Sequence, residues 1–235
     1  MCRIGSIKSK KYIHPSLAFK LMRSQQKGHD NSGFAFVAQD LGGIFEHYKG
    51  YPILSLAISD IGLQKVCACL QQTGFIKIFE HKMRVYPETS LDIKAMDNYV
   101  FMVLDYPKNY DNNKKENLLL DTRLKLRSIL DEKQEGYVYS FYPDVISLKE
   151  IGNPNDIGKY FNLLSDEVNL KAKIISTQCR QNTNYDIVRY AAHPFFLEGY
   201  TTLTNGENTF YEKNKLMQQS LHRGYIGFES DSQCF

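Results

Sequence analysis

Apolar residues in this chain alternate between two spacings, helical stripes closed by glycine and short runs bounded by turn formers, and that alternation restricts the fold more than any other feature. Pro15 opens the first stripe, Leu17, Ala18, Leu21 and Met22, which is expected to stay helical to about Gln26 and to stop at Gly28. The polar turn Lys27 to Gly33 follows, then the run Phe34 to Ala38, expected as a buried strand, with Ile44 to Tyr48 beyond Gly42-Gly43 as its hairpin partner. A second helix is predicted from a Ser59 or Asp60 cap through Leu63, Val66, Cys67 and Leu70 to Gly74, and a strand from Phe75 to Phe79. Tyr106 to Glu116 is polar and turn-rich, so an exposed loop is expected there, with a charged helix from about Lys114 to Glu132 and a strand from Tyr137 to Tyr142 beyond it. Asn153-Pro154 introduces a helix striped by Ile157, Tyr160, Phe161 and Leu164, and a last helix is predicted from Thr209 to His222. Ala172 to Thr177 and Tyr200 to Thr204 are apolar runs that end in polar clusters, the arrangement in which sites tend to be built. Helices and strands interleave without an internal repeat or heptad, which predicts an α+β chain.

Composition narrows the function classes. A chain of 235 residues, 43% of them hydrophobic, can bury a real core as one large domain or two small ones, and disorder is excluded as its main state. No stretch approaches the roughly 20 apolar residues needed to cross a bilayer, and Met-Cys-Arg-Ile-Gly-Ser lacks the apolar core of a secretory signal. A cytoplasmic chain with no membrane partner is expected. With 29 Lys+Arg against 26 Asp+Glu, the net charge of +3 gives no electrostatic ground for a nucleic-acid partner. Five cysteines without a signal do not read as a disulfide framework, and Cys67 and Cys69 on one helix would point about 200° apart. The six histidines form no ligand spacing with Cys or carboxylate, and no flavin motif or Gly-rich nucleotide loop is present, so neither metal nor other cofactor is expected. The chain stops four residues beyond Asp231, which reads as a domain lacking its C-terminal end.

Cys2 carries the chemistry. Removal of Met1 would leave a thiol and a free α-amine on one residue, and an α-amine titrating near ~8 is a base at neutral pH beside a thiol titrating near ~8.5. Taken singly, each candidate has a bland explanation: chance for Cys2, an ordinary turn for Asn205-Gly206, a solvated surface charge for Arg180 or Asp231.

Their order along the chain is what sets them apart. Cys2-Arg3-Ile4-Gly5, the turn Lys27 to Gly33, Arg180-Gln181-Asn182-Thr183, Ala192-His193-Pro194, Asn205-Gly206-Glu207 and Glu229-Ser230-Asp231-Ser232 occur in succession. Together they resemble the class II glutamine amidotransferases, with Asn205-Gly206-Glu207-Asn208-Thr209 and Gly152-Asn153-Pro154 resembling the glutamate-synthase-like branch. The resemblance covers residues 2–38 and 151–235, about half of the chain. It implies a four-layer α/β/β/α sandwich of the N-terminal-nucleophile hydrolase type. It also implies a glutaminase half-reaction in which Cys2 attacks the glutamine side-chain amide, giving a thioester, ammonia and then glutamate. Asn205 and Gly206 would supply oxyanion donors, Arg180 would hold the substrate carboxylate and Asp231 its ammonium, and Thr183 would orient substrate or amine. His193 is expected beside the pocket in a structural role, and Arg189 is the rival to Arg180. Ammonia would pass to a synthase subunit or domain as partner.

The whole of 1–235 is read as one amidotransferase domain in which about 81–150 is an unassigned insertion. Arg3 stands where the family has glycine, so its bulk would crowd the pocket or alter the local backbone. Lys27 replaces an arginine, and Cys179 replaces a threonine or serine. These departures point to an alternative, a catalytically silent glutamine-sensing or regulatory module. A third reading is an N-terminal-nucleophile amidohydrolase with another substrate, which would leave Arg180 and Asp231 without the head group they fit.

Overall fold

Two four-stranded antiparallel sheets make up the body of the protein in a computed structural model that describes residues 2–25, 30–87, 96–131, 134–182, 186–206 and 209–221. Along the chain the elements are β1 (Arg3–Ile13), α1 (Ser16–Ser24), β2 (Gly33–Gly43), β3 (Pro52–Ile58), α2 (Asp60–Gln72), β4 (Ile76–Lys82) and β5 (Asn98–Asp105). They continue with α3 (Lys115–Ser128), β6 (Gly136–Pro143), β7 (Val145–Glu150), α4 (Pro154–Tyr160), β8 (Leu170–Arg180), β9 (Phe195–Leu197), β10 (Tyr200–Thr202) and α5 (Tyr211–Ser220). The first sheet has the order β1-β8-β2-β7, the second β4-β5-β3-β6, and β9 and β10 form a two-stranded hairpin.

β2 is buried on both faces from Gly33 to Ala38, with Phe34 and Phe36 under Phe19 of α1 on one side and Val37 under Phe196 on the other, which explains its unbroken apolar run. The expected hairpin with Ile44 to Tyr48 does not form. Glu46–Tyr48 is a 3-10 turn, and β2 itself continues to Gly43. Gly43 (φ +61) lies so close to β8 that a Cβ would stand 2.3 Å from the Asn169 carbonyl oxygen, and Ile44 donates its N–H to that same oxygen at 3.1 Å. Gly43 therefore serves a close approach to the start of β8 and Gly42 one to the Tyr12 ring of β1, where a Cβ would stand 2.8 Å away, and neither makes a reversal.

α1 buries Ala18, Phe19 and Met22, with Phe19 stacked 4.5 Å from Phe34, while the Gly28 stop lies outside the described residues. α2 begins as expected: the Ser59 hydroxyl accepts from the Gly62 N–H at 3.1 Å. Its buried face is Val66, Cys69 and Leu70, so Cys67 points to solvent in place of Cys69. With α3 it covers Leu54, Leu56 and Ile58 of β3 and Val100, Met102 and Leu104 of β5, forming one apolar layer. α4 is capped by Asn153, whose side chain accepts from Asn155 and Asp156, and it ends before Phe161. Phe161 packs instead 4.7 Å from Tyr99 of β5.

The stretch 81–150, expected as an insertion, is built into both sheets. β5 pairs with β3 and β4, β6 pairs with β3, and β7 pairs with β2. The outer edge of β7 meets the second sheet at Ser55, which accepts from the Ser147 N–H at 3.1 Å and from the Ser140 hydroxyl at 2.9 Å. The main core gathers Phe34 and Phe36 with Tyr99, Phe101 and Leu148, so the sheets share one interior. Among the described residues no helix is long and apolar enough to cross a membrane.

Candidate functional site

Strand register brings the start of β1 beside the end of β8. β1 runs antiparallel to β8 with Arg3 opposite Cys179 and Ile4 opposite Gln178. Cys2, just ahead of β1, therefore lies beside the residues that leave β8. Its Sγ accepts from the Gln181 N–H at 3.3 Å and donates to the Gln181 carbonyl at 3.5 Å, and the side chain is half-buried.

Alternation along β8 sends Gln178 and Arg180 to one face and Cys179 to the other. Cys179 joins the core, where burial first, with the neighbouring Cys2 next, pushes its thiol up to about 12. Arg3, opposite Cys179, belongs to that same far face, and its Nη1 donates to the Cys2 carbonyl at 3.3 Å. Its guanidinium thus folds back onto the backbone of Cys2.

Arg180 is only 7% exposed and sits opposite Gly33, the first residue of β2. Its Nη2 donates to the Asn182 side-chain oxygen at 2.7 Å, and the Asn182 N–H donates to Asp30 at 2.9 Å. Asp30 also accepts from the Ser32 N–H at 3.0 Å, while the Ser32 hydroxyl donates to the Arg180 carbonyl at 3.0 Å. Burial raises the Asp30 carboxyl, but the hydrogen bonds from Ser32 and Asn182 outweigh it and hold the group below its ordinary value. The described part of the turn, Asp30 to Gly33, is in this way docked onto the end of β8. Gly33 (φ +153) lies where a Cβ would stand 3.3 Å from the Ala192 Cβ.

The segment from Arg189 to Gly206 crosses the same face. The Gln178 carboxamide accepts from the His193 N–H at 2.7 Å and donates to the Thr204 carbonyl at 2.9 Å. The Thr204 N–H donates to His193 Nδ1 at 3.2 Å, which leaves the ring proton on Nε2. His193 is 4% exposed, and burial, then the charges of Lys149 and Arg180, hold its imidazole down to about 3. It is a neutral hydrogen-bonding residue, as expected. Asn205 and Gly206 follow Thr204 directly and are exposed, and among the described residues no atom lies within 4 Å of the Cβ position of Gly206 (φ +155). Below the segment, the fully buried Lys149 of β7 donates to the Ala192 carbonyl at 2.5 Å and the Pro194 carbonyl at 2.7 Å, with its ammonium 4.2 Å over the Phe195 ring. Burial lowers its pKa well below the ordinary lysine range.

Cys2, Arg180 and the Thr204–Gly206 segment are thereby assembled at one end of β1 and β8. Thr183, Asp231 and Lys27 lie outside the described residues. The rival Arg189 is committed elsewhere: its Nε donates to both Glu150 oxygens at 2.7 and 2.9 Å, and Tyr99 donates to the same buried carboxylate. Sequence reasoning missed Gln178 and Lys149. The signal for Gln178 was its place two residues before Arg180 on a strand, which puts both on one face.

No protein-family profile matches the chain. A search of curated proteins finds an uncharacterized protein of Archaeoglobus fulgidus, 26% identical over 179 residues that cover 74% of this chain. The chain spans 45% of that protein's length.

Proposed function

We propose that the protein carries out the glutaminase half-reaction of a class II glutamine amidotransferase of the glutamate-synthase-like branch. The observation that carries this reading is the meeting of Cys2, Arg180 and the segment leading into Asn205-Gly206 at one end of β1 and β8. With Met1 removed, the Cys2 α-amine takes the thiol proton and Sγ adds to the carboxamide carbon of glutamine. The oxyanion that forms accepts hydrogen bonds from the Asn205 side-chain NH2 and the Gly206 N–H. The ammonium formed from the α-amine returns its proton to the leaving nitrogen as the tetrahedral intermediate collapses, releasing ammonia and leaving a thioester. Water, deprotonated by the same amine, then frees glutamate and regenerates the thiol.

Arg180 offers its guanidinium fork to the substrate carboxylate, Asp231 receives the ammonium and Thr183 orients the pair. Ammonia passes to a synthase subunit or domain. Two antiparallel sheets, with α2 and α3 over the second, favour the four-layer sandwich of N-terminal-nucleophile hydrolases, whereas α1 packs on the face of the first sheet that also meets Tyr99 of the second, a departure from that layering. A silent glutamine sensor is the weaker reading, because the chain keeps Cys2, Arg180, Asn205-Gly206 and Asp231 together. The test is glutamine hydrolysis by the processed chain and by Cys2→Ala. The variant is expected to fold with unchanged circular dichroism and to lose activity entirely. Retention of more than a few per cent in a clean preparation would rule out the thioester route.

A further inference from the structure

Gln178 is 1% exposed, and its backbone is tied on both sides, opposite Ile4 of β1 and Ala35 of β2. Its carboxamide is therefore fixed to the middle of a sheet, the most rigid kind of platform the fold offers. From there it holds two points far downstream, the amide of His193 and the carbonyl of Thr204. His193 closes the triangle by accepting from the Thr204 N–H, so both backbone polar groups of Thr204 are engaged. Beyond this anchor come Asn205 and Gly206, both exposed. Among the described residues the fixed points nearest this exposed pair are the two engaged backbone groups of Thr204, from which its direction is inherited.

We propose that Gln178 is a positioning residue: its carboxamide, acting through His193 and Thr204, fixes Asn205 and Gly206 where they can receive the oxyanion. This rests on the glutaminase reading and adds to it the device that sets the donor geometry. Donors must stand within hydrogen-bond distance of an atom that becomes charged only in the transition state, so a loosened anchor lowers kcat and spares substrate binding at Arg180. Misplacement of about 1 Å costs on the order of 100-fold in rate.

The experiment compares Gln178→Met, Gln178→Glu and Thr177→Val with the wild-type chain. Gln178→Met keeps the length of the side chain and removes both hydrogen bonds. Gln178→Glu keeps the acceptor for His193 and loses the donor to Thr204. Thr177→Val removes a buried hydrogen bond to the Ala35 carbonyl from the opposite face of the same strand and controls for lost stability. Gln178→Met is expected to lower kcat on glutamine about 100-fold with KM within about threefold, and to speed amide hydrogen exchange across residues 203–206. Gln178→Glu should recover part of kcat, and Thr177→Val should lower the melting temperature while keeping kcat. A Gln178→Met enzyme with kcat within twofold of wild type, or with unchanged exchange at 203–206, overturns the proposal. Should Gln178→Met not fold, His193→Leu removes the Nδ1 acceptor of the Thr204 N–H and is judged by the same two measurements. A wild-type chain that does not hydrolyse glutamine contradicts the glutaminase reading instead, and the exchange comparison still decides whether Gln178 holds the loop.

Discussion

At Arg180 and Arg189, two buried arginines nine residues apart in sequence, the same side chain serves different ends because of what each faces. Arg189 neutralises Glu150, a carboxylate with no exposed surface, and removing one partner of such a pair leaves the other charge buried without its counterion. Arg189→Met is therefore expected to cost about 3–5 kcal/mol of stability by denaturant unfolding. Arg180→Ala should instead raise KM for glutamine strongly, as seen in steady-state kinetics or in titration of glutamine into Cys2→Ala. Equal effects of the two substitutions on glutamine binding would remove Arg180 from the substrate site. The cysteines divide in a similar way. Cys179 is held protonated by burial, its thiol pushed up to about 12, whereas Cys2 is half-buried at a strand end.

At the scale of elements, the segment from Arg189 to Gly206 has little regular structure and depends on side chains that rise from the first sheet: Gln178 from β8 and Lys149 from β7. His193 makes this dependence pH-sensitive. Its unfolded imidazole titrates near 6.5, and burial, with Lys149 and Arg180 beside it, holds the folded value to about 3. The unfolded chain binds the proton first as pH falls, so the contribution of the neutral ring is complete above 6.5 and is lost progressively between 6.5 and 3. Urea unfolding at pH 7, 5.5 and 4.5 should thus show the stability advantage of wild type over His193→Asn shrinking toward acid, while the lowered His14 and His81 cancel in the comparison. A constant difference would contradict the buried neutral ring. Much of this architecture was legible in the sequence where caps and turns are local: Ser59, one of the two cap candidates, caps α2, and α4 begins after Asn153 as read. It was not legible where burial is two-sided. β5 carries apolar residues on both faces without alternation, and β7 alternates apolar and polar residues yet is buried throughout, with Lys149 inside it where a lysine ordinarily marks solvent. The order of short motifs singled out Cys2, Arg180 and Asn205-Gly206, because each lies at an end of a strand or beyond it. Gln178 and Lys149 become visible only once register assigns faces.

Across the whole molecule the two sheets divide the work. The first bears, at one end, the described residues assigned to the site, and the second, covered by α2 and α3, closes the shared core behind them. The account makes one demand that no internal contact can replace: the base is the α-amine of Cys2, so the active chain begins at that residue. General-base help is worth about 100 to 10,000-fold, and an amide nitrogen cannot give it. The most direct measurement treats three proteins, the processed chain, Cys2→Ala and a chain with an uncleavable N-terminal extension, with a glutamine analogue carrying an electrophile at the side-chain amide position. Adducts are located by intact mass and peptide mapping, and glutamine hydrolysis is followed in parallel. The account predicts one adduct on Cys2 of the processed chain, none on Cys67, Cys69 or Cys179, no adduct on Cys2→Ala, and an extended chain that folds yet labels and hydrolyses at least 100-fold more slowly. Labelling and hydrolysis by the extended chain at the rate of the processed one, or an adduct at any other residue with Cys2 unmodified, would contradict it.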